Sequence, residues 1–235
     1  MKLLIIGYGK MGKAVESAAL QRGHTIIGKA DSYEDLAKIN LTADAAIEFS
    51  QPDAVIRNLE FCFEKKIPVV CGTTGWLEKR KEIESLCEKK GSAFFYASNY
   101  SLGVNIFFKL NEYLAKLMNG RAGYEVSVVE THHTQKRDAP SGTAITLAEG
   151  ILKSHHSKKE WVLNETPKPE ALVIKSFRID PAPGTHEIHY RSAVDDIEIK
   201  HTAHSREGFA LGAVLVAEWL AGKQGVYSMD DFLKF

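Results

Sequence analysis

The sequence predicts an α/β protein in two parts, a parallel-sheet domain followed by an α+β domain on a mixed sheet. Three observations carry this. In the first hundred residues, short β-rich runs alternate with helical patterns, the rhythm of parallel strands joined by right-handed crossovers. These runs are continuously apolar rather than alternating, as strands covered on both faces are. Later strand patterns follow one another with no helix between the last three, which points to antiparallel or mixed pairing.

In order, the first part reads as strands over 3–6, 25–27, 45–49, 69–71 and 93–96. Helices over 11–21, 33–38, 53–65 and 77–89 separate them. A helix over 104–118 opens the second part, with Val104, Phe107, Phe108, Leu110, Leu114 and Leu117 near helical spacing. Strands over 124–130, 171–178, 185–191 and 196–202 follow. The polar stretch 153–168 interrupts them, and its start, with paired His155 and His156, reads as a solvated turn. The apolar helix over 209–221 is placed to return to the first part. The expected domains are therefore 1–102 with 206–235, and 103–205.

Composition narrows the function. Lys and Arg total 30, Asp and Glu total 30, and the net charge is zero. That argues against broad phosphate neutralisation on nucleic acid and against a polybasic membrane surface. Cys62, Cys71 and Cys87 form no close pair, so neither a disulfide framework nor a thiolate zinc site is supported. They read as small buried apolar residues. The first apolar run is too short for a signal segment, and 211–220 is half a membrane span, broken by Glu218. A cytoplasmic protein is expected.

Gly7-Tyr8-Gly9-Lys10-Met11-Gly12 follows the first strand and opens the first helix, the context that gives the G-x-G-x-x-G pattern meaning. Gly7 permits the turn, Gly9 lets backbone approach a pyrophosphate, and Gly12 lets helix and strand pack closely. The helix N-terminus faces the anion. Asp31, 19 positions beyond Gly12 at the end of the second strand, is placed for a ribose hydroxyl. The first domain is thus expected to be Rossmann-like and to bind a dinucleotide. A carboxylate repels a 2′-phosphate, so NADH is favoured over NADPH, although Lys29 and Lys38 leave dual use open. Phe49-Ser50, Gly72-Thr73-Thr74 and Ser98-Asn99-Tyr100 end the next three strands. Ligands lie beyond the carboxyl ends of such strands, so these residues are expected to line the ribose and nicotinamide.

The chemistry should lie in Glu130-Thr131-His132-His133-Thr134-Gln135-Lys136-Arg137-Asp138-Ala139-Pro140-Ser141-Gly142-Thr143-Ala144. This segment closes a strand and begins a helix, with Pro140 expected in its first turn and Asp138 as its cap. The N–H groups of Ser141, Gly142 and Thr143 would then be free for a carboxylate. Ahead of them stand two imidazoles, suited to proton transfer at neutral pH, and a lysine.

The sequence resembles the 4-hydroxy-tetrahydrodipicolinate (dihydrodipicolinate) reductases of lysine and diaminopimelate synthesis. The family signature E-x-H-H-x-x-K-x-D-x-P-S-G-T-A is matched from Glu130 to Ala144. The early glycines, Gly72-Thr73-Thr74, Ser98-Asn99-Tyr100-Ser101 and His201-x-Ala203-x-Ser205-Arg206 match in the family's order. The resemblance implies His132 as proton donor and Lys136 as its catalytic partner. It implies that His133, Lys136, Ser141, Gly142 and Thr143 hold the carboxylates of a small dicarboxylate. A homotetramer built through the second domain is also implied. Two departures stand out. Only about a dozen residues separate Asp31 from Asp44, where many members carry a longer segment, and Arg137 replaces an apolar residue. Arg137 is expected to be exposed or to contact a carboxylate.

Three other readings compete. A catalytic metal is disfavoured, because His186-x-x-His189 and His201-x-x-His204 fall in expected strands, where i and i+3 face opposite sides. A related nicotinamide reductase or amino-acid dehydrogenase would share the architecture. A non-enzymatic dinucleotide sensor would have no need of the His132/Lys136 pair.

Overall fold

The first strand, Lys2–Ile6 (β1), is four apolar residues behind a lysine, and Leu3 to Ile6 are all buried. Each such side chain contributes about 1.5–3 kcal/mol relative to exposure. The computed structural model describes residues 1–39, 42–166, 168–205 and 207–234. After β1 come α1 (Lys10–Gln21), β2 (Thr25–Ala30), α2 (Tyr33–Lys38), β3 (Ala45–Glu48), α3 (Val55–Glu64), β4 (Val69–Cys71), α4 (Arg80–Lys90) and β5 (Ala93–Tyr96). Then follow α5 (Leu102–Met118), β6 (Glu125–His132), α6 (Gly142–Leu152), β7 (Glu160–Leu163), β8 (Ala171–Arg178), β9 (Gly184–Arg191) and β10 (Asp196–Ala203). The last elements are α7 (Glu207–Leu220), β11 (Gly225–Tyr227) and α8 (Met229–Leu233).

Two compact units result, Met1–Leu102 with Glu207–Phe235, and Gly103–Arg206. In the first, a parallel sheet runs β11-β5-β4-β3-β1-β2. One face packs α1 and α7 through Val15, Ala19, Ala213 and Val216, and the other packs α3 and α4 through Leu59, Phe63 and Ile83. This double cover explains why β1 after Lys2, β3 before Glu48, and β4 and β5 read as apolar runs. In the second unit the order is β10-β9-β6-β8-β7, with β9 antiparallel to its neighbours and the other pairs parallel. One sheet face buries Val128, Leu172, Ile174 and Ile188 against α5 and α6 through Phe107, Leu147 and Ile151.

The structure corrects several expectations. β2 continues through Gly28 and Lys29 to Ala30 because its backbone keeps pairing with β1 after the apolar run ends. The short elements β7, β11 and α8 were not expected. The start of 153–168 is not wholly solvated. His155 is buried and stacks on Tyr190, with ring centroids 6.2 Å apart. Lys158 is buried too, its Nζ donating to Glu125 and to the Pro169 carbonyl at 2.9 Å. His204 lies beyond the end of β10 rather than within it. All three cysteines are buried thiols, and burial pushes Cys87 up to about 12.

Candidate active site

In the first unit, the carboxyl end of β1 turns at Gly7, whose φ of 86° suits glycine. A Cβ there would overlap the Phe49 carbonyl, and a Cβ at Gly12 would overlap the Gly7 carbonyl. Gly9 caps α1, is exposed, and would meet nothing within 4 Å. The N–H groups of exposed Lys10 and half-buried Met11 lie in the first turn of α1, where no intrahelical acceptor reaches them. Asp31 follows β2, is exposed, and accepts the Tyr8 N–H, so the carboxylate stands beside the glycine turn. A bare glycine cradle, free helix amides and an adjacent carboxylate fit the diphosphate and ribose of a dinucleotide. Lys29 lies 2.6 Å from Glu16 and donates to the Tyr8 hydroxyl at 3.0 Å, so it is already engaged. Lys38 is 3.9 Å from Asp35.

The three strand ends differ in what they expose. Phe49 and Ser50 are half-buried, and the Phe49 ring lies over Gly72, where a Cβ would overlap it. Thr74 and Ser98 are exposed, while the Asn99 carboxamide oxygen accepts the Ser101 N–H at 2.9 Å. Tyr100 departs from the expectation. Its side chain is buried against Phe49 and Phe95, and its hydroxyl donates to the Cys71 carbonyl at 2.7 Å. Thr73 is buried as well, its hydroxyl donating to Glu48 at 2.7 Å and accepting the Ser50 N–H at 2.9 Å. Glu48, unmarked in the sequence reading, is fully buried and also accepts from the Ser50 hydroxyl, Asn58 and Cys71. It ties the ends of β3 and β4 together.

In the second unit, β6 delivers His132 buried at its last position, followed by half-buried His133 and Lys136. Two side chains hold the loop that follows. Arg178 donates to the Lys136 carbonyl at 3.2 Å and to the Asp138 carbonyl. Asp180 accepts the Thr134 N–H at 3.1 Å and the Thr134 hydroxyl. Lys136 Nζ pairs with Asp138 at 2.8 Å, and despite partial burial that bond holds the Asp138 carboxyl low. Arg137 is exposed.

The helix start is corrected. Ser141, not Asp138, caps α6, its hydroxyl accepting the Ala144 N–H at 3.2 Å, and Pro140 precedes the helix. The Ser141 N–H is not free either, because it donates to Glu130 at 3.1 Å. Gly142 and Thr143 keep N–H groups without intrahelical acceptors, and Gly142 is exposed. Two amides without intrahelical acceptors therefore remain at the start of α6, and the loop carrying His133 and Lys136 leads into it.

Beneath it lies a cluster the sequence reading missed. Glu130 is fully buried, and its Oε1 accepts from Ser141 N–H, from Ser176 at 2.6 Å and from Arg178 at 3.4 Å. Its Oε2 lies 3.2 Å from His132 Nδ1 and 3.7 Å from His186 Nε2. Burial alone would raise the Glu130 carboxyl. The close imidazole of His132 and the hydrogen bonds from Ser141 and Ser176 outweigh it and hold the group well below the usual carboxylate range. Burial lowers His186 to about 3, so this ring is neutral. It meets His132 edge-on at 5.0 Å. Cross-strand register brings these groups together, since Glu130 pairs with both His186 and Ser176.

Among the described residues, Glu130, His132 and His186, and also Glu187, His189 and Glu198, bring ligand atoms within 4.8 Å of one another. The first set suits a divalent ion in composition, but the Arg178 guanidinium on the same carboxylate opposes a second cation. In the second, His189 uses different nitrogens toward the two carboxylates and Lys200 pairs with Glu187 at 2.9 Å. Arg206, part of the late motif, lies outside the described residues.

Residues 1–100 match the family model described as dihydrodipicolinate reductase, N-terminus, and residues 103–233 match its C-terminus. The chain is 47% identical over 234 residues to the 4-hydroxy-tetrahydrodipicolinate reductase of Christiangramia forsetii, covering 99% of this chain and 98% of that one. It is 36% identical to that of Archaeoglobus fulgidus, covering 96% of each. In fold it is similar to a dipicolinate-bound dihydrodipicolinate reductase from Paenisporosarcina sp. TG-14, with TM-score 0.77, 19% identity and 97% of both chains covered. An amine dehydrogenase from Mycobacterium smegmatis shares the fold at TM-score 0.61 and 12% identity, over 97% of this chain and 94% of that one. No helix among the described residues is long and apolar enough to cross a membrane. Both halves of the chain match the two family models, and the likeness to full-length relatives is end to end; the chain belongs to the dihydrodipicolinate reductase family.

Proposed function

We propose that this chain reduces 4-hydroxy-tetrahydrodipicolinate to tetrahydrodipicolinate with NADH or NADPH, on the route to diaminopimelate and lysine. The observation that carries this is the end of β6, where His132, His133 and Lys136 precede the free amides of α6. The substrate's C4 hydroxyl leaves with a C3 proton as water, giving an α,β-unsaturated cyclic imine, and the reduced nicotinamide, when bound, would supply a hydride to C4 of that imine. His133, Lys136 and the amides of Gly142 and Thr143 hold the substrate's carboxylates, with the Ser141 hydroxyl beside them. The ammonium and amides also stabilise the negative charge that develops toward an enamine. His132 then protonates C3. In the first unit Gly7 to Gly12 hold the diphosphate and Asp31 the adenosine ribose. Because Lys29 is engaged by Glu16, NADH is favoured. A cytoplasmic homotetramer completes the proposal.

Turnover of the condensation product of pyruvate and aspartate semialdehyde, followed by NADH or NADPH absorbance, tests the activity. Failure to oxidise either cofactor, under conditions where a known reductase works, refutes it. His132→Gln is expected to lower kcat by roughly 10²–10⁴-fold with NADH affinity unchanged.

A further inference from the structure

We propose that Glu130 is the positioning residue of the proton donor: it holds the Nδ1–H of His132, so that the imidazole delivers its Nε2 proton and is left as the Nδ1–H tautomer. This rests on the reading of His132 as donor. Glu130 Oε2 and His132 Nδ1 are both buried and 3.2 Å apart, an ion-pair approach not aligned as a hydrogen bond, and neither atom has a hydrogen-bond partner among the described residues, so each is the polar group at hand for the other. The other carboxylate oxygen is fixed independently by Ser141, Ser176 and Arg178. The carboxylate therefore cannot turn without breaking three bonds, and Oε2 stays within reach of the imidazole.

An ionised carboxylate only accepts. A His132 protonated at Nε2 alone would set a lone pair against Oε2, whereas the Nδ1–H tautomer sets a donor there. The hydrogen bond at one nitrogen thus decides which proton the other carries. His186 on β9 does not compete for Oε2. It is farther away, its Nε2 meets the Ser141 hydroxyl at 3.2 Å, and burial keeps it neutral. The other charged or titratable groups around this cluster are Arg178 on β8 and Asp138 in the loop near Glu130, and His201 on β10 and Lys136 in the loop near His186. The far edge of the donor ring is kept clear by glycine, since a Cβ at Gly184 would stand 3.2 Å from His132 Nε2. In the step itself, the Nε2–H bond of the imidazolium breaks and its electron pair stays on Nε2. The enamine π pair forms the new C3–H bond, and Nδ1–H remains on Glu130.

Glu130→Gln keeps an acceptor oxygen for Ser141, Ser176 and Arg178 but removes the charge. It is expected to lower kcat by on the order of 10²-fold with substrate KM within about threefold. Combined with His132→Gln it should add no further loss, because the two residues act as one unit. Histidine ¹⁵N spectra of the unaltered protein should show neutral His132 protonated at Nδ1. A Glu130→Gln rate near that of the unaltered enzyme, with His132→Gln slow, overturns the role of Glu130 alone. Additive losses in the double variant also overturn it, as they mark a merely structural group. If Glu130→Gln does not fold, the ¹⁵N spectrum decides by itself, and Nε2 protonation refutes the proposal. An undiminished His132→Gln rate removes the donor reading and this inference with it.

Discussion

Gly9 and Gly12 stand three positions apart in one motif, yet they should fail in different ways when changed to alanine. At Gly12 the new methyl would overlap the Gly7 carbonyl and stand 3.3 Å from Ile5 Cγ2. Gly7 and Ile5 are both buried, so neither neighbour has room to retreat. Overpacking of this kind costs about 1–3 kcal/mol, and the better helix propensity of alanine offsets up to about 1 kcal/mol. A net loss of about 1–2 kcal/mol lowers Tm by about 3–8 °C for a unit of this size. At Gly9 the methyl would meet no atom within 4 Å, and a cap without a side-chain bond loses only about a few tenths of a kcal/mol. Its Tm should move by no more than about 2 °C. That methyl would, however, occupy the face on which a diphosphate lies. NADH should bind at least about tenfold more weakly, a loss of about 1.4 kcal/mol. Thermal melts of the ligand-free variants and calorimetric NADH titration separate the two. The reasoning is refuted if Gly9→Ala melts as low as Gly12→Ala, or if it binds NADH as tightly as the unaltered protein.

Asp31→Ala should raise KM for NADH several-fold more than KM for NADPH, while Glu16→Gln, by releasing Lys29, should improve NADPH; paired KM values with unchanged ratios would remove both residues from cofactor choice. His186 supplies a pH dependence of stability. Its folded pKa, about 3, lies below the unfolded value of 6.5, so the unfolded chain binds the proton first. Stability is therefore full above about 6.5 and falls by on the order of 1.4 kcal/mol per unit as pH drops toward 3. Denaturant unfolding of the unaltered protein and His186→Asn between pH 7 and 4 checks this, and equal slopes would show that His186 contributes nothing.

What the sequence made legible follows the range of the interactions. Continuous apolar runs marked β1, β3, β4 and β5 because double cover is written locally. The glycine turn was legible because its spacing reflects one turn and one helix start. Tyr100 was misplaced for the complementary reason. It sits in a polar string at a strand end, but Phe49 and the Cys71 carbonyl, both distant in sequence, join nearby Phe95 in drawing it into the core. Lys158 read as solvated until Glu125, 33 residues earlier, and the Pro169 carbonyl closed over it. Glu130 could have been noticed as the first residue of the histidine segment. Its partners Ser176, Arg178 and His186 lie 46, 48 and 56 positions away and meet it only through the register of β6 with β8 and β9.

The two units solve a similar problem with a similar device. A loop that must present groups to a ligand cannot bury apolar side chains of its own, so something beneath it has to fix its backbone. In the first unit the buried Glu48 carboxylate gathers donors from Ser50, Asn58, Cys71 and Thr73. In the second, Glu130 gathers Ser141, Ser176 and Arg178. A buried carboxylate suits this task because its two oxygens accept several bonds at once, and hydrogen bonds to a charge are the strong ones. The difference between the two lies in the partners. Every donor around Glu48 is neutral, which suits a scaffold for strand ends. Glu130 faces a guanidinium on one oxygen and an imidazole on the other, so the same hub that holds the loop also stands against the proposed proton donor. The chain's balance of 30 bases against 30 acids conceals this local arrangement: a negative charge buried at the end of β6, next to the loop of His133 and Lys136 and the start of α6 proposed to hold a small dianion.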